Sequence, residues 1–166
     1  VDVIKNFGGF SIGAACYPEG HVSSANQRED LLHLKAKADA GCDFLTTQMF
    51  FDNNILYRFL YKIRELGINI PVLAGIMPVT NKKQISRIVE LSGTALPSRF
   101  LSILDKFGDD QKAMEQAGIA YATEQIIDLL ANGVHGIHIY TMNKPEIARA
   151  IMQNISFIIR QVRLCG

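Results

Sequence analysis

The stretch Phe44-Leu-Thr-Thr-Gln-Met-Phe-Phe51, followed by Asp52, is the part of the sequence around which the rest can be arranged. Its aromatic, β-branched and long apolar side chains are typical of a short buried strand. Because side chains alternate across a strand, Thr46 and Gln48 share one face, opposite Leu45. An amide buried without hydrogen-bond partners costs about 1–3 kcal/mol. Gln48 is therefore either a core amide satisfied by neighbouring backbone or a side chain directed at a ligand, and the stretch alone is compatible with both.

Three other runs of the chain have the same character as this strand. Each is short, nearly continuous in apolar residues and followed by a segment with helical periodicity, which is typical of parallel sheets in α/β proteins. We predict four strands: Phe10–Cys16, Phe44–Phe50, Val72–Met77 and Gly136–Tyr140.

The helical segments begin at good capping residues. Asn26 precedes the first helix and forms a capping box with Glu29. Asp52 and Asn81 are N-cap residues of the next two helices. The interval between the third and fourth strands is longer than one crossover requires and holds two additional helices. The predicted helices are Gln27–Ala40, Asn53–Leu66, Lys82–Leu91, Ser98–Phe107, Asp110–Leu130 and Lys144–Arg160.

The composition is that of one globular domain. The 166 residues are 48% hydrophobic and 20% charged, which is enough apolar material for a core. The net charge of +1 gives no reason to expect nucleic acid or an anionic membrane as a partner. No run approaches the ~18 apolar residues of a membrane span, and no leader opens the chain. Cys16, Cys42 and Cys165 form no metal or disulfide pattern, so we expect a reduced, cytoplasmic compartment.

Four βα units are compatible with an open doubly wound sheet or with half of a (βα)₈ barrel. A doubly wound sheet predicts a glycine-rich turn after its first strand, but Tyr17-Pro-Glu-Gly-His21 holds one glycine. A barrel predicts polar residues at the carboxyl ends of its strands, and three of the four strands have them, as at Tyr17, Gln48 and Tyr140. We therefore predict an α/β fold in which parallel βα units form the C-terminal half of a TIM barrel, with a helical insertion before the last strand.

Half of a barrel leaves strand edges unpaired and the inner face of its sheet uncovered. We expect residues 1–166 to form one domain that depends on the first four βα units, supplied by another chain or another segment. The sequence begins with Val1 rather than methionine, so we expect a fragment or a processed piece. A monomeric, two-state isolated chain would contradict this dependence.

Two polar patterns have both a structural and a functional interpretation. Asp30, His33 and Lys37 share one stripe of the first predicted helix. This stripe is either a solvated face or a ligand rim, where an acid accepts from a ribose hydroxyl and a lysine meets a phosphate. The segment Tyr17–His21 is either a rigid turn or a loop that places an aromatic ring and a histidine on a flat ligand.

No metal site is predicted. Glu19 and His21 provide two ligands without a third. His135 and His138, three residues apart beside a strand, point to opposite faces, and we interpret them as structural. The sequence contains no GxGxxG, P-loop, GxSxG or HExxH motif.

Five strings, taken together and in order, resemble methylenetetrahydrofolate reductase. They extend over nearly the whole chain and correspond to the C-terminal half of that family's barrel, from the fifth strand to the end. The strings are Ala15–His21, Asp30–Lys35, Ala40–Asp52, Gly75–Val79 and His138–Asn143.

The resemblance implies an FAD-containing (βα)₈ barrel that reduces 5,10-methylenetetrahydrofolate to 5-methyltetrahydrofolate. In this family a reductant, NADH or NADPH, gives a hydride to the flavin and leaves, and the folate then takes its place on the same flavin face. The flavin carries the redox chemistry, while the protein supplies positioning and hydrogen bonds. The sequence alone leaves the electron donor open among NADH, NADPH and a partner protein.

The resemblance also implies roles for individual residues. Gln48 matches the amide that hydrogen-bonds the pterin and, in the other half-reaction, the nicotinamide, and we expect it to be the catalytic residue of this chain. Gln84 matches a contact to the aminobenzoyl-glutamate side of the folate. Lys144 stands where the family usually has arginine, which predicts altered recognition of the same tail because lysine lacks the bidentate fork. The implied FAD contacts are Tyr17, His21, Asp30, His33 and Lys37.

The family's acid that protonates the folate nitrogen, and its aspartate near the flavin ring, belong to the first half of the barrel. Glu19 is the only candidate acid at the carboxyl ends of the strands and does not replace these two groups, so we expect the isolated chain to be inactive. The expected partners are the N-terminal half of the barrel, folate and further copies in a homo-oligomer. Two alternatives stay open: a non-catalytic flavin- or folate-binding or assembly subunit of a larger redox complex, and another flavin barrel oxidoreductase resembling proline dehydrogenase.

Overall fold

The computed structural model describes residues 1–134 and 136–165, without the side chains of residues 86, 87, 91 and 163–165. His135, interpreted above as structural, lies outside the described residues, as does the side chain of Cys165. The described part forms one four-stranded sheet in which every neighbouring pair of strands is parallel. The predicted parallel α/β architecture is therefore confirmed. The strands, in chain order and in sheet order, are β1 (Gly13–Cys16), β2 (Phe44–Thr47), β3 (Val72–Ile76) and β4 (Gly136–Ile139).

Helices connect all of these strands. The helices are α1 (Asp2–Phe7), α2 (Gln27–Asp39), α3 (Asn53–Glu65), α4 (Lys82–Ser92), α5 (Ser98–Phe107), α6 (Gln111–Ala131), α7 (Pro145–Asn154) and α8 (Ser156–Cys165). Helix α2 leads from β1 to β2 and α3 from β2 to β3, whereas α4, α5 and α6 all lie between β3 and β4.

The predicted N-caps begin the helices that connect the first strands. The Asn26 side chain accepts from the N–H of Glu29 at 3.0 Å at the start of α2. Asp52 caps α3 and Asn81 caps α4 in the same way, each accepting from an N–H in the first turn. Because each cap satisfies a donor that the helix leaves unpaired, these residues fix where the chain turns from strand to helix.

The two faces of the sheet differ in burial. One face packs beneath α2, α3, α6 and α7, and Leu45 and Ala74 on it are fully buried. On the other face Ala15 and His138 are exposed and Thr46 is half-buried. We call this second surface the open face; it consists of Gly13, Ala15, Phe44, Thr46, Leu73, Gly75, Gly136 and His138.

The predicted strand Phe10–Cys16 is too long, because β1 begins at Gly13. Its partner strand begins at Phe44, which pairs with Gly13, so residues 10–12 have no strand beside them. Asp43 instead accepts from the N–H of Ile12 at 2.7 Å. The other three strands also end earlier than predicted, at Thr47 rather than Phe50, at Ile76 rather than Met77, and at Ile139 rather than Tyr140.

The predicted helix Lys144–Arg160 is wrong as a single element. The backbone leaves the helical conformation at Ile155, with φ −110° and ψ 9°, and α8 begins at the next residue. The Ser156 hydroxyl donates to the carbonyl oxygen of Gln153 at 3.0 Å, a local hydrogen bond that competes with helix continuation. The short helix α1 was not predicted; it has only six residues, and its apolar side chains are exposed instead of packing on the core.

A second apolar cluster, around Phe51, Val79 and Met114, joins α4, α5 and α6 to the segments after β2 and β3. Helix α6 reaches this cluster through Gly118. A Cβ at Gly118 would lie 1.9 Å from the carbonyl oxygen of Val79, so only glycine allows this approach.

We expect Gly118→Ala to lower the free energy of unfolding by about 2–3 kcal/mol, as overpacking of a tight contact does. In a helix without such a contact the same change stabilises by roughly 0.5–1 kcal/mol, so the sign is informative. The measurement is urea denaturation of the full-length protein that carries this chain. Gln116→Ala, at an exposed position of the same helix, should stay within about 0.5 kcal/mol of the parent. A Gly118→Ala protein as stable as the parent would contradict the close approach.

Across the described ranges 1–134 and 136–165, none of the helices has the length and apolar character needed to cross a membrane.

Candidate functional site

The open face carries a groove of about 420 Å³ at the β1–β2 side of the sheet. Its lining combines small residues of β1 with polar and aromatic side chains at or after the carboxyl ends of the strands. Such a surface can accept a flat ligand against the sheet while a few polar groups fix its orientation. The groove is lined by Gly13, Ala14, Ala15, Tyr17, Phe44, Thr46, Gln48 and Tyr140.

Gln48 follows β2 directly instead of lying within it, which corrects the predicted strand end. Its backbone N–H still donates to the carbonyl oxygen of Cys16 at 2.8 Å, so its main chain remains tied to β1. Its half-buried side chain lines the groove, and its Oε1 accepts from the N–H of Met49 at 3.0 Å. The NH₂ group makes no hydrogen bond to any described residue. The structure thus combines both interpretations of this amide: it is partly satisfied by backbone and it borders a ligand-sized groove.

The side chain of Tyr140, the residue after β4, extends across β3 and contacts β2. Its hydroxyl donates to the carbonyl oxygen of Thr47, the residue before Gln48, at 3.0 Å. A Cβ at Gly75 would lie 2.8 Å from the Tyr140 ring and 2.3 Å from the Thr47 carbonyl oxygen, so the crossing requires glycine. Burial raises the pKa of the Tyr140 hydroxyl, which keeps it a neutral donor. The ring of His138 contacts the Tyr140 ring edge to face, with 4.6 Å between centroids.

Sequence reasoning named Tyr140 as a polar residue at a strand end but missed this contact and the role of Thr47. The Thr47 hydroxyl accepts from the N–H of Gly75 at 2.8 Å, where a strand-to-strand backbone bond would otherwise lie. The signal that was available is the glycine itself, since Gly75 interrupts an otherwise apolar strand.

The loop after β1 places two of the predicted residues in contact. The rings of Tyr17 and His21 meet edge to face with 4.4 Å between centroids. The Nδ1 of His21 accepts from the N–H of Ser23 at 3.1 Å, so the neutral ring carries its proton on Nε2. Tyr17 lines the groove, which leaves an aromatic surface and an imidazole donor at the carboxyl end of β1.

Helix α2 brings a carboxylate and an ammonium group to the same end of β1. The Nζ of Lys37 donates to the carbonyl oxygen of Ala15 at 3.4 Å, and Asp30 accepts from the Ser24 hydroxyl at 3.4 Å. Both charges act on the buried thiol of Cys16. The pKa of this thiol is raised to about 12, mainly by burial; the charge of Lys37 lowers it and that of Asp30 raises it. His33 is exposed on the same helix. Two of the three residues of this stripe therefore lie beside β1.

Gln84 and Lys144 do not line the groove. The Nζ of Lys144 donates to the hydroxyl of Thr80 at 3.3 Å, which ties the start of α7 to the segment after β3. Gln84 is half-buried in the first turn of α4, where its backbone N–H donates to the carbonyl oxygen of Asn81 at 3.1 Å. Both side chains thus belong to the region after β3, at the same edge of the sheet as Gln48.

A family model described as methylenetetrahydrofolate reductase matches residues 1–156 of this chain. The chain belongs to the methylenetetrahydrofolate reductase family. The resemblance inferred from the five strings is therefore confirmed.

Relatives in this family are similar to the chain over most of its length. It is 35% identical over 158 residues to a methylenetetrahydrofolate reductase (NADH) of Arabidopsis thaliana, and the match covers 90% of this chain and 27% of that protein. It is 39% identical over 147 residues to a probable methylenetetrahydrofolate reductase (NADPH) of Caenorhabditis elegans, covering 88% and 22%. It is 32% identical over 155 residues to the 5,10-methylenetetrahydrofolate reductase of Escherichia coli, covering 93% and 52%. The chain thus spans about half the length of the bacterial relative and about a quarter of the others.

Among solved structures, the fold is similar to that of an uncharacterized protein from Clostridium thermocellum that binds two copies of 5-methyl-5,6,7,8-tetrahydrofolic acid. The TM-score is 0.62 at 15% sequence identity, and the match covers 94% of this chain and 57% of that one. This similarity supports the parallel α/β fold of the family member described here.

Proposed function

We propose that this chain supplies the C-terminal half of the active site of a flavin-dependent enzyme that reduces 5,10-methylenetetrahydrofolate to 5-methyltetrahydrofolate. The observation that carries the proposal is the groove on the open face, where the Gln48 carboxamide lies with Tyr17 and Tyr140 above small residues of β1. Membership of the methylenetetrahydrofolate reductase family supports the reaction. The folate ligand of the structurally similar Clostridium thermocellum protein supports the substrate class.

The residues beside β1 suit FAD. The Lys37 ammonium group can neutralise a phosphate, Asp30 can accept from a ribose hydroxyl, and Tyr17 offers an aromatic surface. The Phe44 ring covers Gly13, whereas the small side chain of the exposed Ala15 leaves room for a flat ring to approach the sheet beside it. The flavin, when bound, supplies the redox centre that accepts and delivers a hydride. The proposed contacts to this cofactor are Tyr17, His21, Asp30, His33 and Lys37.

Gln48 can orient a flat heterocycle because its amide offers a donor and an acceptor in one plane. Its oxygen is held by the Met49 N–H, which fixes the amide plane and leaves the NH₂ group as a donor. We assign this donor to the pterin of the folate and, in the other half-reaction, to the nicotinamide of NADH or NADPH. Gln84 and Lys144, which both flank the segment after β3, are proposed to contact the aminobenzoyl-glutamate tail.

We further propose that four additional βα units cover the open face and complete a (βα)₈ barrel. The exposed Ala15 and His138 would then face a barrel interior instead of solvent. The match to about half of the Escherichia coli relative is consistent with this arrangement. The acid that protonates the folate nitrogen would come from the additional units.

The test is the absorbance spectrum and turnover of the full-length protein that carries this chain. We expect a yellow protein whose flavin bands bleach with NADH or NADPH and return when 5,10-methylenetetrahydrofolate is added, with 5-methyltetrahydrofolate as product. A colourless preparation that binds no added FAD would contradict the proposal. Bound flavin without folate turnover would instead identify a binding or assembly subunit.

A further inference from the structure

Glu19 is the polar residue of the Tyr17–His21 loop to which the proposed function gives no role. Its Oε1 accepts from the N–H of Ala95 at 2.9 Å, a contact between residues 76 positions apart. Its Oε2 is buried and has no hydrogen-bond partner among the described residues. The carboxyl group therefore holds the segment after α4 against the loop after β1, at the edge of the sheet where Gln48 lies.

The segment after α4, which Glu19 holds, contacts Met49, the residue next to Gln48. The buried Thr94 hydroxyl donates to the carbonyl oxygen of Met49 at 3.3 Å. The Met49 N–H in turn donates to Oε1 of Gln48 at 3.0 Å. Met49 is thus held on both sides, by Thr94 at its carbonyl and by Gln48 at its N–H.

A small, partly open pocket borders these groups. It is close to the smallest space that holds one water molecule, with a volume of about 10 Å³. Glu19, Gln48, Met49 and Thr94 are all among its lining residues. Glu19 and Gln48 therefore border the same small pocket, and a change in the Glu19 side chain alters the packing beside the Gln48 amide.

The surroundings of Glu19 raise the pKa of its carboxyl group. Burial raises the pKa of the carboxyl group and the nearby charge of Asp52 raises it further, while the Ala95 N–H and the Thr94 hydroxyl act in the opposite direction. The Thr94 hydroxyl lies close enough to the carboxyl group to influence its pKa, and the same hydroxyl donates to the Met49 carbonyl oxygen.

We propose that Glu19 is a positioning residue for Gln48: through Thr94 and Met49 it keeps the Gln48 carboxamide in one orientation toward the groove. The inference rests on the proposed function in that Gln48 is the amide that contacts the substrate. Glutamine is the matched replacement, because it keeps the acceptor for the Ala95 N–H and has an NH₂ group of similar size in place of the second oxygen. Alanine removes both groups.

The first test is a double-mutant cycle in the full-length, flavin-loaded protein. We expect Glu19→Ala to lower kcat/KM for folate reduction by about tenfold, since it misplaces a contact group without removing it. Glu19→Gln should stay within about threefold of the parent, because it keeps the acceptor for the Ala95 N–H. In a Gln48→Ala background, Glu19→Ala should have no further effect, because its role acts through the missing amide. An equal loss in both backgrounds would overturn the proposal.

The second test does not depend on activity. A crystal structure of the Glu19→Ala protein should show the Gln48 amide turned, with the bond from the Met49 N–H to Oε1 lost, while Glu19→Gln retains it. Glu90→Ala, an exposed carboxylate on α4, is the matched control and should leave the amide unchanged. An unchanged Gln48 amide in Glu19→Ala would overturn the proposal even if the parent reduces folate. If the parent does not reduce folate, the proposed function fails, and this structural result still decides the role of Glu19.

Discussion

Replacing Gln48 with alanine in the full-length, flavin-loaded protein is expected to lower kcat/KM for folate reduction by roughly a hundredfold, because a substrate on the open face loses the group that orients it. The variant lacks both the NH₂ donor and the oxygen that accepts from the Met49 N–H. We expect reduction of the flavin by NADH or NADPH to slow as well, since the same amide is proposed to contact the nicotinamide. Stopped-flow measurement of the two half-reactions separates these effects.

Gln48→Glu distinguishes the loss of a donor from the loss of volume. Glutamate keeps the chain length and an oxygen for the Met49 N–H but has no NH₂ group, so folate reduction should still fall. Gln153→Ala, at an exposed position on α7, is the matched control and should leave both half-reactions unchanged. Both Gln48 variants should remain folded, because one side-chain hydrogen bond contributes only about 1 kcal/mol. Normal folate kinetics in Gln48→Ala would contradict the role assigned to this residue.

The features that sequence reasoning predicted well depend on neighbours in the chain. The cap at Asn26 needs only Glu29, three residues away, to satisfy the first turn of α2. The four strands were located because each buries apolar side chains over a few consecutive residues. Gln48 was selected because a long amide follows such a run, and that observation involves the single segment from β2 to Asp52.

The features that sequence reasoning missed depend on contacts between distant segments. Tyr140 and Thr47 are 93 positions apart, and their hydrogen bond exists only because β4 and β2 flank the same strand. Glu19 and Ala95 are likewise brought together by the fold. The strand ends shifted for the same reason, since a strand extends only as far as its partner, and β1 has no partner before Gly13.

Gly75→Ala is expected to lower the free energy of unfolding by about 2–3 kcal/mol, as overpacking does at a contact that cannot relax. The added methyl group would lie 2.3 Å from the carbonyl oxygen of Thr47 and 2.8 Å from the Tyr140 ring. Two observables should change together: the urea midpoint falls, and the affinity for folate falls because Tyr140 is displaced from the groove that it lines with Gln48.

Tyr140 variants separate the two clashes. Tyr140→Phe removes only the hydroxyl that donates to Thr47, and we expect it to lower stability by about 1 kcal/mol. Adding Tyr140→Ala to Gly75→Ala should not restore stability, because the closer contact is to a backbone oxygen of the neighbouring strand, which a side-chain deletion leaves in place. If the double variant instead regains the parent stability, the Tyr140 ring alone required the glycine. In that case Thr47 and β3 can move apart to admit the methyl group. Glycine at position 75 is then required for the position of Tyr140 in the groove and not for the packing of the strands.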